Sequence, residues 1–99
     1  MRQNRHSLAG TNGIPLEEDR VYVEVECGHG DELNPYEYPV RLTWPDGRSW
    51  GISASNLERT YGREIFGNYV ERYDITIRRK HRTLWRERGR WFVRRKQGA

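Results

Sequence analysis

Apolar and polar residues alternate at every second position through much of this chain. The alternation is clearest at 21–27, where Val21, Val23, Val25 and Cys27 are separated by larger or charged residues. A period of two puts alternate side chains on opposite faces of a strand, so this stretch is predicted to be a half-buried β-strand. Similar patterns predict strands at 39–44, 48–53, 73–78, 83–87 and 90–94.

The clearest turn signal is Pro45-Asp46-Gly47, between two of these strands. Proline presets φ for the first corner of a type I turn, and aspartate suits the second corner. Glycine then accepts the left-handed conformation of a bulge. The segment predicts a hairpin with Trp44 and Trp50 on its inner side.

Two segments lack the alternation. Residues 1–19 show no periodicity, so we expect a mobile N-terminal tail at 1–19 followed by one β domain at 20–96. Ser55 and Glu58 have the spacing of a capping box, which favours a short helical turn near residues 56–61. Because Gly62 and Gly67 interrupt the helical spacing, an irregular connection is the alternative.

The whole pattern predicts a mainly all-β fold. Short strands with turn signals at regular spacing are typical of a small antiparallel barrel or a strongly bent sheet, here with five to six strands. Only 34% of the residues are hydrophobic and 32% are charged, so the core must be small. Aromatic rings help to fill it, because each buries about 150–250 Å². We expect Ile75, Ile77, Trp91 and Val93 in this core.

Two stretches resemble a group of short uncharacterised bacterial proteins. That group pairs a Trp-x-Asp-Gly-Arg hairpin with a final Gly-Arg-Trp-Phe-Val strand. The corresponding residues here are Trp44-Pro45-Asp46-Gly47-Arg48 and Gly89-Arg90-Trp91-Phe92-Val93. The resemblance covers about residues 39–94. It implies a shared fold and brings no activity or functional residue with it.

The single cysteine, Cys27, excludes an intramolecular disulfide and favours a reducing compartment. No window approaches the roughly 18 apolar residues of a membrane span, and no signal-type apolar run follows the first residues. We therefore expect a cytoplasmic protein that is not embedded in a membrane.

No group of residues predicts catalysis. Cys27 and His29 are close in sequence, but a structural zinc site needs four ligands and no second cluster is present. Asp31, Glu32 and Glu37 predict a solvated acidic loop. The sequence therefore predicts no metal, no cofactor and no enzyme activity.

Charge is distributed unevenly along the chain. The formal net charge is +4, but residues 78–96 contain ten lysines and arginines and one acid, a net +9. The other eight bases and thirteen acids leave −5 elsewhere. Such segregation favours an anionic partner. The bases can instead pair with the acidic part of the chain or keep sheet edges from aggregating.

Nucleic-acid binding without catalysis, through a C-terminal arginine-rich face, is therefore the predicted function. The adjacent pairs Leu84-Trp85 and Trp91-Phe92 put large apolar side chains on both sheet faces, so Trp85 or Phe92 is expected to face solvent and stack on bases. The predicted interface comprises Arg78, Arg79, Lys80, Arg82, Arg86, Arg88, Arg90, Arg94, Trp85 and Phe92. The alternative is a protein-interaction module that uses an aromatic groove or an open sheet edge.

Overall fold

The computed structural model describes residues 12–33, 36–63 and 68–95. These residues form seven antiparallel strands after one turn of 3-10 helix at Glu17–Asp19. The strands are β1 (Arg20–His29), β2 (Glu37–Thr43), β3 (Ser49–Gly51), β4 (Ala54–Arg63), β5 (Asn68–Ile77), β6 (Lys80–Glu87) and β7 (Arg90–Arg94). The all-β prediction is confirmed, with seven strands in place of the expected five or six.

The sheet is strongly curled, and a short connection enforces the curl. The strand order is β3-β2-β1-β7-β6-β5-β4, so β3 and β4 are the two edge strands. Only Ile52 and Ser53 join them, and such a connection spans roughly 10 Å. Ile52 N–H donates to Val40 in β2, and Ser53 N–H donates to Thr76 in β5. The two ends of the sheet therefore meet at this point.

β1 is shared between two parts of the sheet. Its first half, Arg20 to Val23, pairs with β7, and its second half, Glu24 to His29, pairs with β2. The two ladders lie on opposite edges of β1, and the ladder to β2 begins at the residue after the one where the ladder to β7 ends. As a result the β1–β2–β3 part folds over the inner face of the part formed by β4 to β7.

The inner face of the curled sheet holds the main core. Tyr73, Ile75, Ile77, Leu84 and Trp91 are buried there together with Val23 and Leu42. Trp44 and Trp50 pack at its margin with their ring centres 6.4 Å apart in an edge-to-face arrangement. The expected core positions of Ile75, Ile77 and Trp91 are confirmed, and Val93 packs half-buried against them.

The outer face carries a second, smaller core. Tyr61, Val70, Trp85 and Phe92 are buried on it, and Ile14 from the N-terminal segment covers them with 1% of its surface exposed. The prediction of a mobile tail is therefore wrong for residues 14–19, which pack on the sheet. Residues 1–11 lie outside the described residues. Sequence periodicity missed this contact because one or two anchoring residues in an irregular segment produce no repeat.

Arg20 holds the N-terminal segment in place. Its Nε donates to the Pro15 carbonyl at 3.0 Å, its Nη1 donates to Glu87 Oε1 at 2.9 Å, and its guanidinium lies 4.1 Å from the centre of the Phe92 ring. Burial alone would lower the pKa of Arg20, but hydrogen bonds to Tyr22 and Glu87 raise it above the usual value. The buried guanidinium is thus fully charged and paired.

The expected helical turn at residues 56–61 is wrong, because this segment belongs to β4. The Ser55 and Glu58 pattern is a local signal, whereas the ladder to β5 provides backbone partners from Ala54 to Arg63. Extended geometry also brings Tyr61 against Trp85, with ring centres 6.4 Å apart. Glu58 is an extra residue in the ladder, a β-bulge between Leu57 and Arg59.

The predicted hairpin at Pro45-Asp46-Gly47 is confirmed. Gly47 has a φ of +95°, and its N–H donates to the Trp44 carbonyl at 2.9 Å. Asp46 Oδ1 accepts from the Arg48 N–H at 3.0 Å, which closes the turn.

Within the described residues, no helix has the length and apolar character of a membrane span.

The outer core provides a first test of the fold. Replacing Ile14 with alanine should lower the free energy of unfolding by about 2–4 kcal/mol, because a buried aliphatic side chain is lost over Trp85 and Phe92. Leu16, which is 42% exposed, is the matched control. Leu16→Ala should change stability by less than about 0.5 kcal/mol. Urea denaturation of both variants makes the comparison, and equal small effects would show that the segment does not stabilise the domain.

Candidate nucleic-acid interface

Two arginines form the turn between β5 and β6. Ile77 pairs with Lys80, so Arg78 and Arg79 alone make the connection. Their φ angles are +52° and +69°. A two-residue hairpin turn with positive φ at both positions is normally built from Asn-Gly or similar pairs. The strands predicted at 73–78 and 83–87 leave a link at residues 79–82, which begins one residue too late and is twice too long, because the pair Arg78-Arg79 gives no turn signal.

Four exposed cations lie in this turn or just after it in β6. We refer to them as the basic corner: Arg78, Arg79, Lys80 and Arg82. None of the four forms an ion pair with a described residue. β7 pairs with β6 only from Trp85 onwards, so Lys80 and Arg82 lie on a stretch of β6 that none of the described strands covers on that side. The basic corner is therefore open to solvent from the turn and from one strand edge.

The remaining bases lie elsewhere. Arg88 and Gly89 form the turn between β6 and β7, with φ angles of +53° and +78°. This turn is at the opposite end of β6 from the basic corner, about 24 Å away for eight strand residues. Arg90 stacks on Tyr22 at 3.6 Å from the ring centre, and Arg94 donates to the Gly13 carbonyl at 2.6 Å. The structure thus divides the predicted interface between two ends of the molecule.

Arg86 lies inside the curl and binds acidic residues. Its Nε is 2.7 Å from Glu71 Oε1, and its Nη1 is 3.3 Å from Glu37 Oε1 in β2, across the inner face. The guanidinium also stacks on Trp91, 4.6 Å from the ring centre. Burial opposes the charge, but the hydrogen bond to Glu71 helps to raise the pKa of Arg86 above its usual value. Its predicted place on a basic outer face is therefore wrong.

Trp85 and Phe92 are both buried, so the expectation that one of them faces solvent is wrong. Trp85 is 4% exposed and Phe92 is 0% exposed. They face the same side of the sheet, because they are directly paired between β6 and β7, and their rings stack with centres 6.5 Å apart. Alternation correctly placed apolar residues on both faces, but it did not show that the N-terminal segment covers the outer one.

The other chemical possibilities are weak at the residues described. Cys27 is a half-buried free thiol, and burial together with the nearby Glu37 charge raises its pKa. A thiol with a raised pKa is a poor nucleophile at neutral pH. Among residues 12–33, 36–63 and 68–95, no cluster of three or more His, Cys, Asp or Glu side chains has the geometry to hold a metal ion.

Comparison of the chain with protein-family models, curated proteins and solved structures found no match. What the fold defines is a small antiparallel β protein with a curled, half-barrel sheet. Functional inference therefore depends on the placement of its charges and strand edges.

Sequence reasoning missed the network that joins Arg86 to Glu71, Glu37 and Tyr73. The alternation of the strands could have indicated this network. Glu71 and Arg86 are each two residues from a core residue, Tyr73 and Leu84, and so face the same side of the sheet. A charged residue that faces the same side as the core residues indicates a buried ion pair if the residue paired with it on the neighbouring strand has the opposite charge. That comparison requires the β5–β6 register, which depends on the unrecognised turn.

Arg86 should therefore contribute to stability. Arg86→Ala should lower the free energy of unfolding by about 1–3 kcal/mol, because Glu71, with only 13% of its side chain exposed, is left without its partner. Arg82→Ala, at an exposed position on the same strand, should change it by less than about 0.5 kcal/mol. Chemical denaturation distinguishes the two, and similar values for both variants would contradict a stabilising role for Arg86.

Tyr73 should make the fold sensitive to high pH. Burial raises its pKa to about 12, compared with about 10 for an exposed tyrosine. The folded protein holds this proton more tightly than the unfolded chain, so the contribution is intact below pH 10 and is lost as the pH rises to about 12. The loss of stability should be steepest near pH 11, at about 1.1 kcal/mol per pH unit. Urea denaturation from pH 9 to 11.5 should show a weaker dependence for Tyr73→Phe, but an unchanged one for Tyr36→Phe, at a residue that is 78% exposed.

Proposed function

We propose that the protein binds nucleic acid without catalysing a reaction, through phosphate contacts made by the basic corner. The observation that carries this proposal is the group of four exposed cations, Arg78, Arg79, Lys80 and Arg82, with no acidic partner among the described residues. Neighbouring like charges repel one another unless an anion neutralises them. A nucleic-acid backbone, with its regularly spaced phosphates, supplies such anions.

Backbone strain in the turn supports a functional role. An L-residue in the left-handed region costs about 1–2 kcal/mol, and both Arg78 and Arg79 adopt it. An Asn-Gly turn would connect the same strands with far less strain. The two arginines therefore bring no advantage to folding, whereas they place two guanidinium groups at the most projecting point of the hairpin. Guanidinium groups bind phosphate with two parallel hydrogen bonds.

The expected mode of binding involves phosphates and excludes stacking on Trp85 or Phe92. Both rings are buried, so neither offers a face to a base. Contacts to phosphate position a protein on nucleic acid but carry no sequence information. We therefore infer binding that is largely independent of sequence and strongly dependent on salt.

Fluorescence anisotropy with a labelled 20-base-pair duplex and the corresponding single strand, between 50 and 300 mM salt, tests this function. If four phosphates are neutralised, the slope of log K against log salt should be about −3.6 on the duplex and about −2.8 on the single strand. Absence of binding to both at 50 mM salt would rule out the proposal.

A turn replacement separates binding from folding. The double variant Arg78→Asn/Arg79→Gly should raise the free energy of unfolding by about 1 kcal/mol, since it installs a favoured turn. It should also make the duplex salt slope less steep by about 1.8, because two phosphate contacts are lost. Arg88→Asn makes the same kind of replacement before Gly89 at the other turn and should leave the slope unchanged. A double variant that is stabilised but binds like the original protein would move the interface away from the basic corner.

A further inference from the structure

A second surface is formed where β1 separates from β7. The β1–β7 ladder ends at the pair Val23 and Trp91, close to the first residue of β7. The residues before β7, Arg88 and Gly89, form the turn from β6 and lead away from β1. β1 continues for six more residues, Glu24 to His29, and pairs only with β2. No described residue pairs with the other edge of this segment. Its backbone groups on that side are available to another strand.

An open notch lies at the start of this free edge. It has a volume of about 420 Å³ and is bounded by residues 22–25 of β1, by Gly89 in the turn before β7, and by Arg90 and Trp91 at the start of β7. Val23, Val25 and Trp91 contribute apolar surface to it, while Glu24 and Arg90 contribute charge. The notch shows that no described residue fills the space beside β1 where β7 would otherwise continue. An incoming strand has room to begin there.

The free edge of β1 is regular, unlike the other long edge of the sheet. Where the register of β1 and β2 shifts, the extra residue is Val40 in β2, so the side chains of β1 keep strict alternation. In β4 the extra residue is Glu58, in the edge strand itself. Its bulge and the charges of Glu58 and Arg59 are features that keep edge strands from pairing. Strand addition is therefore favoured at β1 and disfavoured at β4.

Side chains along the free edge define the chemistry of the partner. Val25 and Cys27 point to the inner face and are half-buried, whereas Glu24 and Glu26 are exposed and form no ion pair with a described residue. In an added antiparallel strand, residues directly opposite share a face and interact. The best match to β1 has a basic residue opposite Glu26, between apolar residues opposite Val25 and Cys27.

We infer that this edge binds an extended segment of a partner protein in which basic and apolar residues alternate, added antiparallel to β1 beside the notch. Main-chain hydrogen bonds to Glu24 through His29 provide affinity, and the alternation provides selectivity. The surface is built from β1 and is separate from the basic corner. The inference does not depend on nucleic-acid binding.

The inference is tested by titrating the full chain with the peptide acetyl-Lys-Val-Lys-Val-Lys-amide and following the protein's backbone amide signals by NMR. Saturable shifts should appear at the amides of Glu24 to His29. A peptide with glutamate in place of lysine should bind at least tenfold more weakly. The variant Glu24→Lys/Glu26→Lys should reverse this preference, and Glu58→Lys on β4 is the matched control that should leave it unchanged.

Backbone methylation distinguishes strand addition from simple charge attraction. In a paired strand, alternate N–H groups face the neighbouring strand and the others face away. Two peptide isomers, one N-methylated at the valines and the other at the lysines, should therefore differ at least tenfold in affinity. Equal affinities, shifts mapped to β4 in place of β1, or no binding at millimolar peptide would each overturn the inference.

Discussion

The fold depends on a constraint in β6 and β7: each strand carries large apolar side chains on both of its faces. Leu84 and Trp91 face inward, while their neighbours Trp85 and Phe92 face outward. Such a hairpin is stable in water only if both faces are covered. The curl of the sheet covers the inner face with β1, β2 and β3. The N-terminal segment covers the outer face through Ile14.

Coverage of both faces decides where charges are placed. Arg20 and Arg86 are drawn into the two cores, each stacked on an aromatic ring and paired with glutamate. The contacts of Arg86 with Glu71 and Glu37 balance part of the positive charge of the last quarter of the chain. Arg20 lies outside that quarter and pairs with Glu87, the one acid among residues 78–96. Arg78, Arg79 and Arg88, in the turns at the two ends of β6, have no such partners among the described residues, because these turns project beyond the strands that carry the acids. Arg48 differs, since it pairs with Asp46 in its own turn at 2.8 Å. Among the described residues, the excess positive charge is therefore concentrated at the two ends of β6 and does not form a continuous basic face.

Sequence alone predicted those features that depend on local patterns. Alternation identified six of the seven strands, and Pro45-Asp46-Gly47 identified its turn because those residue types fit its dihedral angles. β4 was missed because its partner, β5, supplies backbone pairing that a capping-box pattern cannot reveal. Burial of Trp85 and Phe92 was missed for a related reason: Ile14, which covers them, is an isolated residue distant in sequence. Of the predicted interface, the basic corner remains exposed, while Arg86, Trp85 and Phe92 lie in or against the cores.

The two kinds of exposed feature in this small sheet point to different kinds of partner. A turn such as Arg78-Arg79 has few main-chain groups to offer and acts through its charges, so its attraction extends over about a Debye length and weakens with salt. The free edge of β1 acts through main-chain hydrogen bonds, which require a strand in register and are only weakly screened. The basic corner adjoins the connection that closes the curl, because Ser53 bonds to Thr76 one residue before Ile77. The β1 edge begins where the β1–β7 ladder ends. One partner bound at the corner therefore leaves the main-chain groups of β1 free for another.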